Sequence, residues 1–464
     1  MSRDTLPERR FLVHGMGITN QAVARALVRR GRTVVLTDDG DPIRLEAIAE
    51  QVRDSMLDGG EVHMVPQPSA ERLGELMGAV DAVVPTPGLA ERHPLFAAAR
   101  AADVAILSEF DLADAWDDRP VLAITGTNGK TTVTTLVDAM LEASGRRSAA
   151  VGNTEVPLVA AIEDPATEVF VVEASSFRLA QSRRFRPLVA TWLNFAEDHL
   201  DVHESLEAYR AAKARIWADQ GPDDVAVANA EDPVVVASLP AREDGPRQVR
   251  FGLVPGADGV VADFHEADGV LRGPDGIELV RSDELWSTLP HDRSNALAAA
   301  ATALAGGADL HGVRLALREF AGLAHRVQLV GERADVRWYD DSKATAPHAT
   351  LAALAGFASV VLIAGGRNKG LDLGALGAAA GRVRAVVGIG EAGPDVVAAF
   401  PDRPSVVATS MAEAVRAAAS MAGAGDVVLL SPGCASFDWY GSYSERGDDF
   451  VARVRELVLD EEVA

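Results

Sequence analysis

The chain has 464 residues, of which 48% are hydrophobic and 24% charged, and its net charge is −24. At roughly 150 residues per domain this is material for about three cores, and the acidic balance excludes a general nucleic-acid or anionic-membrane binder, which would be held through a basic surface. A single cysteine, Cys434, excludes an internal disulfide and any cysteine-rich metal site.

Residues 1–10 are charged, and the apolar run after them is broken at His14, so they lack the apolar core of a signal peptide. No later run reaches the roughly 18 apolar residues that a membrane span needs. The expectation is a cytoplasmic protein with no membrane insertion.

Residues 11–13 read as a short buried strand, followed by Gly15-Met16-Gly17-Ile18-Thr19-Asn20, a helix over 21–30 and a strand over 33–37 that ends at Asp38-Asp39. This is the front of a dinucleotide-type βαβ unit, with acids about 20 residues after the glycines, where a ribose contact is expected. Asn20 stands at the third glycine, which weakens an NAD reading and favours a Rossmann-like domain for another nucleotide. A strand over 79–85, the turn Pro85-Thr86-Pro87-Gly88 and a boundary near Phe110 complete the unit.

The next block opens on Val121-Leu122-Ala123-Ile124-Thr125-Gly126-Thr127-Asn128-Gly129-Lys130-Thr131-Thr132, with a helix expected over 133–145. A strand that runs through glycines into a helix turns that helix N-terminus into a phosphate cradle. Backbone N–H groups face the anion, Lys130 adds charge and Thr131 can hold Mg²⁺. Ile124 occupies the position of the first glycine of the longer P-loop pattern, so this is a compact form; the competing reading is a glycine turn without a ligand.

Strands follow over 149–151, 169–173 and 188–193, with helices over 205–219 and 295–305. The Gly, Asp and Pro-rich segment 241–284 suggests hairpins on an excursion from the main sheet. Glu173 ends its strand, and an acid there faces the crevice where open α/β sheets bind ligands, as a Mg²⁺ ligand or a helix cap. Leu206, Tyr209, Lys213 and Ile216 share one helical face. A lysine on an apolar stripe is lowered in pKa by desolvation, which makes its amine reactive, unless it snorkels or pairs with Asp198. His199, in the polar run 194–201, gains interest from that lysine.

From about Leu323 the βα rhythm restarts, with strands over 336–339, 360–364, 383–389 and 427–431 that imply a third, mostly parallel sheet. The clusters Asp340 to Thr345, Gly365 to Gly370 and Ser431 to Ser436 each follow a strand, so they can converge at one rim and supply local positive charge.

With these pieces in one order, the chain resembles the Mur ligases of peptidoglycan synthesis. The matching residues are 125–132, Gly152-Asn153, 173–177, 194–201, 209–213, His325-Arg326, 341–345 and 431–436. The resemblance implies an α/β fold of three domains: a Rossmann-like N-terminal domain over 1–110 for a UDP substrate, a central P-loop ATPase-like domain with a parallel sheet over 111–322, and a C-terminal Rossmann-like domain over 323–464 for the amino acid. It implies an ATP-dependent amide ligase acting through an acyl phosphate, with D-glutamate and UDP-N-acetylmuramoyl-L-alanine as small-molecule partners, two Mg²⁺ ions and a monomeric state.

By that likeness Lys130, Glu173, His199 and Lys213 are catalytic, and Gly126, Thr127, Asn128, Gly129, Lys130, Thr131, Thr132, Asn295, Arg326 and Asp341 bind ATP. Thr131, Glu173, His199 and a carbamylated Lys213 hold metal. Ile18, Thr19, Asp38, Asp39, Gly88 and Asn153 touch the UDP-sugar, and Lys343, Thr345, Lys369, Ser436 and Tyr443 form the amino-acid pocket. The chain departs from the usual pattern at Thr154-Glu155, Ala174, Arg178, Asp292 and Ala346. Other expectations to be distinguished are another Mur-type or folylpolyglutamate-type ligase, a non-catalytic nucleotide-binding relative and an NAD-dependent oxidoreductase.

Overall fold

A computed structural model describes residues 4–56, 60–154, 156–200, 202–256 and 259–459, so Glu155 and Asp201 lie outside the described residues. The chain divides into two compact units. One comprises residues up to Leu285 with Ser294–Phe320, and the other comprises Trp286–Arg293 with the residues from Ala321 onward. Among the described residues no helix is long and apolar enough to cross a membrane.

The first unit carries two sheets. In the first, β1 (Arg10–His14), β2 (Thr33–Asp38), β3 (Glu61–Pro66), β4 (Ala82–Pro85) and β5 (Ala105–Ile106) lie in the order β3-β2-β1-β4-β5, all parallel. Phe11, Leu12, Val13 and His14 are all buried, as a strand covered on both faces requires. The helix Ile18–Arg29 starts earlier than the expected residue 21. Asn20 accounts for its own departure from glycine: its buried amide donates to His14 O at 2.8 Å and to Val84 O at 3.2 Å, tying β1 to β4 where the strand order reverses.

The second sheet is built from β6 (Val121–Thr125), β7 (Ser148–Gly152), β8 (Val169–Glu173), β9 (Val189–Trp192), β10 (Val225–Asn229), β11 (Arg247–Gly252), β12 (Phe264–Ala267), β13 (Val270–Arg272) and β14 (Glu278–Arg281). Its order is β14-β13-β12-β11-β10-β9-β6-β8-β7. The segment 241–284 therefore extends the main sheet instead of leaving it. β11 pairs parallel with β10 and β12 parallel with β11, and only β12-β13-β14 is an antiparallel meander. Short apolar pieces between turn residues carry no local mark of which distant edge they will join. The helix expected over 205–219 is an α-helix, Leu206–Ala214, followed by a 3₁₀ turn, Arg215–Trp217. Leu206 is exposed because it sits in the first, solvent-facing turn, so the buried stripe begins at Tyr209 and runs through Lys213 and Ile216.

In the second unit, β15 (Gln328–Arg333), β16 (Val336–Asp340), β17 (Val360–Gly365), β18 (Val383–Ile389), β19 (Ser405–Val407) and β20 (Val427–Leu430) take the order β15-β16-β20-β17-β18-β19. Among these described strands the β15-β16 hairpin is antiparallel and the other pairings are parallel. Asp340 pairs with Leu430, and Leu430 with Ile363, so β16 and β20 end level, β17 runs on to Gly365, and the three expected clusters leave one rim.

Candidate active site

β6 lies between β9 and β8, and β7 flanks β8, so four strand ends deliver the glycine loop, the 194–199 segment, Glu173 and Asn153 to one edge. Gly129 has φ +84°, and a Cβ there would stand 2.5 Å from Asn295 Oδ1; one on Gly126 would stand 2.9 Å from Leu193 Cβ. Neither position has room for a side chain, and Asn295 closes over the turn. Gly129 precedes the helix Lys130–Ala143 and gives it no side-chain cap, and a helix N-terminus entered through a glycine turn suits an anion.

The loop is braced from the neighbouring strand. Asn128 N–H donates to Asn194 Oδ1 at 2.8 Å, Thr127 N–H donates to Asn194 O at 3.1 Å, and Thr127 Oγ1 accepts from Ala196 N–H at 3.0 Å and meets Tyr209 Oη at 3.2 Å. Lys130 Nζ donates to Gly126 O at 2.8 Å and Thr127 O at 3.0 Å. Thr131 is half-buried and Thr132 buried on the first turn of the same helix.

Glu173 is 3% exposed. Its Oε1 accepts from Asn153 Nδ2 at 2.9 Å, while Oε2 is buried with no hydrogen-bond partner among the described residues. A buried carboxylate oxygen facing no donor beside a phosphate cradle fits a hard cation, for which oxygen is the preferred ligand.

Lys213 is 1% exposed, which excludes snorkelling; its Nζ donates to Gly126 O at 2.8 Å and lies 4.7 Å above the Tyr209 ring. Burial, and then the charge of Lys130, push its pKa well below the ordinary lysine value, against a smaller pull from Asp198. His199 is held at φ +57°, with its ring 4.7 Å from that of Phe177 and Nε2 3.5 Å from Asp198 Oδ2.

At the rim of the first sheet, Ile18 is exposed and Thr19 buried. Asp38 accepts from Met16 N–H at 2.6 Å and Gly40 N–H at 2.7 Å, so it braces the glycine turn. Asp39 is clasped by two imidazoles, His93 Nε2 at 3.0 Å and His14 Nε2 at 3.5 Å. Leu95 N–H donates to His93 Nδ1, which places the neutral ring's proton on Nε2, toward Asp39. Gly88 has φ +85° beside the Phe177 ring. Arg178, read from the sequence only as a departure, bonds Glu109, Asn153 and Thr19. Nothing local marks it, because its partners come from three distant segments.

On the second unit, Asp341 is buried, accepts from Ser431 Oγ at 2.7 Å and is raised by burial to about 8. Lys343 Nζ sits 3.8 Å over the Tyr443 ring, and Lys343 N–H donates to the His325 carbonyl, beside Arg326. Thr345 is half-buried, Ser436 buried and Lys369 exposed on the adjoining loops. Arg446, which the sequence did not single out, joins two of these loops: it donates to Ser342 Oγ, Ser342 O and Cys434 O at 3.0, 2.8 and 3.1 Å. Burial pushes the Cys434 thiol up to about 12, which removes it as a nucleophile.

A glycine turn at a helix N-terminus, a buried carboxylate with one unpartnered oxygen and a buried lysine thus lie together at one edge of the second sheet, and the second unit carries a polar rim of its own. The family model for the Mur ligase middle domain matches residues 124–303, and that for the Mur ligase glutamate ligase domain matches 325–434. The chain belongs to the Mur ligase family.

Within it, the chain is 43% identical over 455 residues to a UDP-N-acetylmuramoylalanine--D-glutamate ligase of Frankia casuarinae, covering 96% of this chain and 93% of that one. It is 39% identical to the protein of the same name from Desulfosudis oleivorans, covering 97% and 96%. Among solved structures, MurF from Acinetobacter baumannii aligns with a TM-score of 0.58 at 16% identity over 95% of this chain and 93% of that one. MurC from Thermotoga maritima aligns at 0.55 and 20% identity over 97% and 99%, so these two share the fold.

Proposed function

We infer that this chain is an ATP-dependent ligase of peptidoglycan precursor synthesis that joins D-glutamate to UDP-N-acetylmuramoyl-L-alanine and releases ADP and phosphate. The observation that carries the reading is the 43% identity over nearly the whole chain to a relative of that name.

A carboxylate is a poor acceptor for an amine. The γ-phosphoryl group is first moved onto the carboxylate oxygen of the UDP-sugar peptide, giving an acyl phosphate and ADP. The D-glutamate amine then attacks the carbonyl carbon, phosphate leaves with the C–O electron pair, and the amine proton is lost as the amide forms. Gly126 to Thr132 cradle the phosphates, with Lys130 neutralising charge and Asn295 over the turn. Thr131 and Glu173 would hold one Mg²⁺, and His199 with a carbamylated Lys213 a second; the ions would offset charge on the phosphoryl oxygens. Arg326 and Asp341 are assigned to the nucleotide.

The UDP-sugar is assigned to Ile18, Thr19, Asp38, Asp39, Gly88 and Asn153 in a domain of residues 1–110, and ATP to residues 111–322. The amino acid is assigned to Lys343, Thr345, Lys369, Ser436 and Tyr443 within 323–464. A cytoplasmic monomer is the corresponding cellular form.

The test is phosphate release with ATP, Mg²⁺ and UDP-N-acetylmuramoyl-L-alanine, offering D-glutamate, L-glutamate, diaminopimelate and alanine in parallel. Release is expected with D-glutamate; none with it, or a clear preference for another amine, overturns the reading.

A further inference from the structure

We propose that Arg178 is a positioning residue for the cation-binding carboxylate, acting through Asn153. The inference rests on Glu173 as the cation ligand, but not on which amino acid is joined.

Arg178 is 5% exposed, and its guanidinium is fixed by a separate acceptor on each nitrogen. Nε donates to Glu109 Oε1 at 2.6 Å, Nη1 to Asn153 Oδ1 at 2.7 Å and Nη2 to Thr19 Oγ1 at 2.9 Å. Glu109 is itself buried, so charge and plane are both held. A guanidinium offers donors only, so Asn153 must turn its carbonyl toward Arg178. That orientation leaves the Asn153 NH₂ facing Glu173, where it donates to Oε1 at 2.9 Å. The opposite amide orientation would set donor against donor at Arg178 and carbonyl against carboxylate at Glu173. Glu173 is thereby rotated and pinned through one oxygen, and the other, Oε2, faces no donor among the described residues. The backbone reinforces the arrangement: Asn153 N–H donates to Glu173 O at 2.9 Å, and Gly152 is required because a Cβ there would stand 2.7 Å from that carbonyl.

The experiment titrates Mn²⁺ into the full-length protein with ADP present and no turnover, and reads bound metal by electron paramagnetic resonance. Losing a group that orients a metal ligand typically weakens metal binding by about 10- to 100-fold, and that loss is expected for Arg178→Met. Arg178→Lys, which keeps a donor-only cation beside Glu109, should stay within about threefold of wild type by the same logic. Thermal unfolding is measured alongside. If Arg178→Met does not fold, Glu109→Gln/Arg178→Met removes the buried acid with its partner and takes its place. Wild-type Mn²⁺ affinity in the folded Met variant, or a Lys variant as weak as Met, overturns the proposal. Neither result depends on D-glutamate as substrate, so this test and the ligase assay fail independently.

Discussion

Lys130 and Lys213 donate to the same acceptor, the carbonyl oxygen of Gly126, each at 2.8 Å. Two ammonium groups at one carbonyl repel, and the fully buried Lys213 is the one whose pKa burial and the charge of Lys130 push well down. A neutral buried amine is the form that adds carbon dioxide. Lys213→Ala is therefore expected to lower turnover by about 100-fold or more, the usual scale for losing a preorganised electrostatic group. Added short-chain carboxylates should restore part of it, and bicarbonate depletion should slow the wild type. Wild-type phosphate release by Lys213→Ala would end the carbamate role.

The same burial has a stability consequence with a definite sign. Between the lowered folded value of Lys213 and its ordinary value near 10.5, the unfolded chain binds a proton that the folded chain does not. Stability therefore rises with pH across that window. Lys213→Met should raise the melting temperature at pH 7, with a gain that shrinks as pH climbs toward 10. A lower melting temperature for the variant at every pH would contradict the lowered value of Lys213.

Asp341 runs the other way. Burial raises it from 3.8 to about 8, so between those values the folded protein keeps a proton that the unfolded chain has lost. Stability falls as pH rises through that interval. Asp341→Asn preserves a neutral acceptor for Ser431 and should melt higher than wild type at pH 8, with a smaller difference at pH 5. Thermal unfolding at the two pH values checks it.

Gly129→Ala combines two costs. The residue would be held at φ +84°, and its methyl would stand 2.5 Å from Asn295 Oδ1. The left-handed backbone alone costs about 1–2 kcal/mol, and displacing Asn295 opens the cradle. A lower melting temperature and weaker ATP binding by calorimetry are expected together, and unchanged ATP affinity would refute the role given to the turn.

The sequence made the cradle legible because glycines, lysine and threonines adjoin along the chain, and each constrains backbone or charge locally. Glu173 and the shared rim of the third sheet were legible for a similar reason: a strand followed by polar residues marks a carboxyl edge. Lys213 was found by helical spacing, although Leu206, counted on the same face, lies in solvent. Arg178 and Arg446 stayed hidden because each gains meaning only from partners far along the chain, such as Thr19 at 159 residues and Ser342 at 104. The strands of 241–284 were misjudged for the same physical reason, since edge pairing is long-range.

The placement of β20 between β16 and β17 sets an order of birth. Asp341 and Ser431, hydrogen-bonded across that sheet, are 90 residues apart in the chain. A ribosome adding about 5–20 residues per second takes on the order of 5–20 s to cover that interval. Until β20 emerges, β16 and β17 each present an edge of unpaired backbone groups to the cell. The polar rim that these three strands share thus comes into existence only once β20 is made, long after the phosphate cradle could have folded.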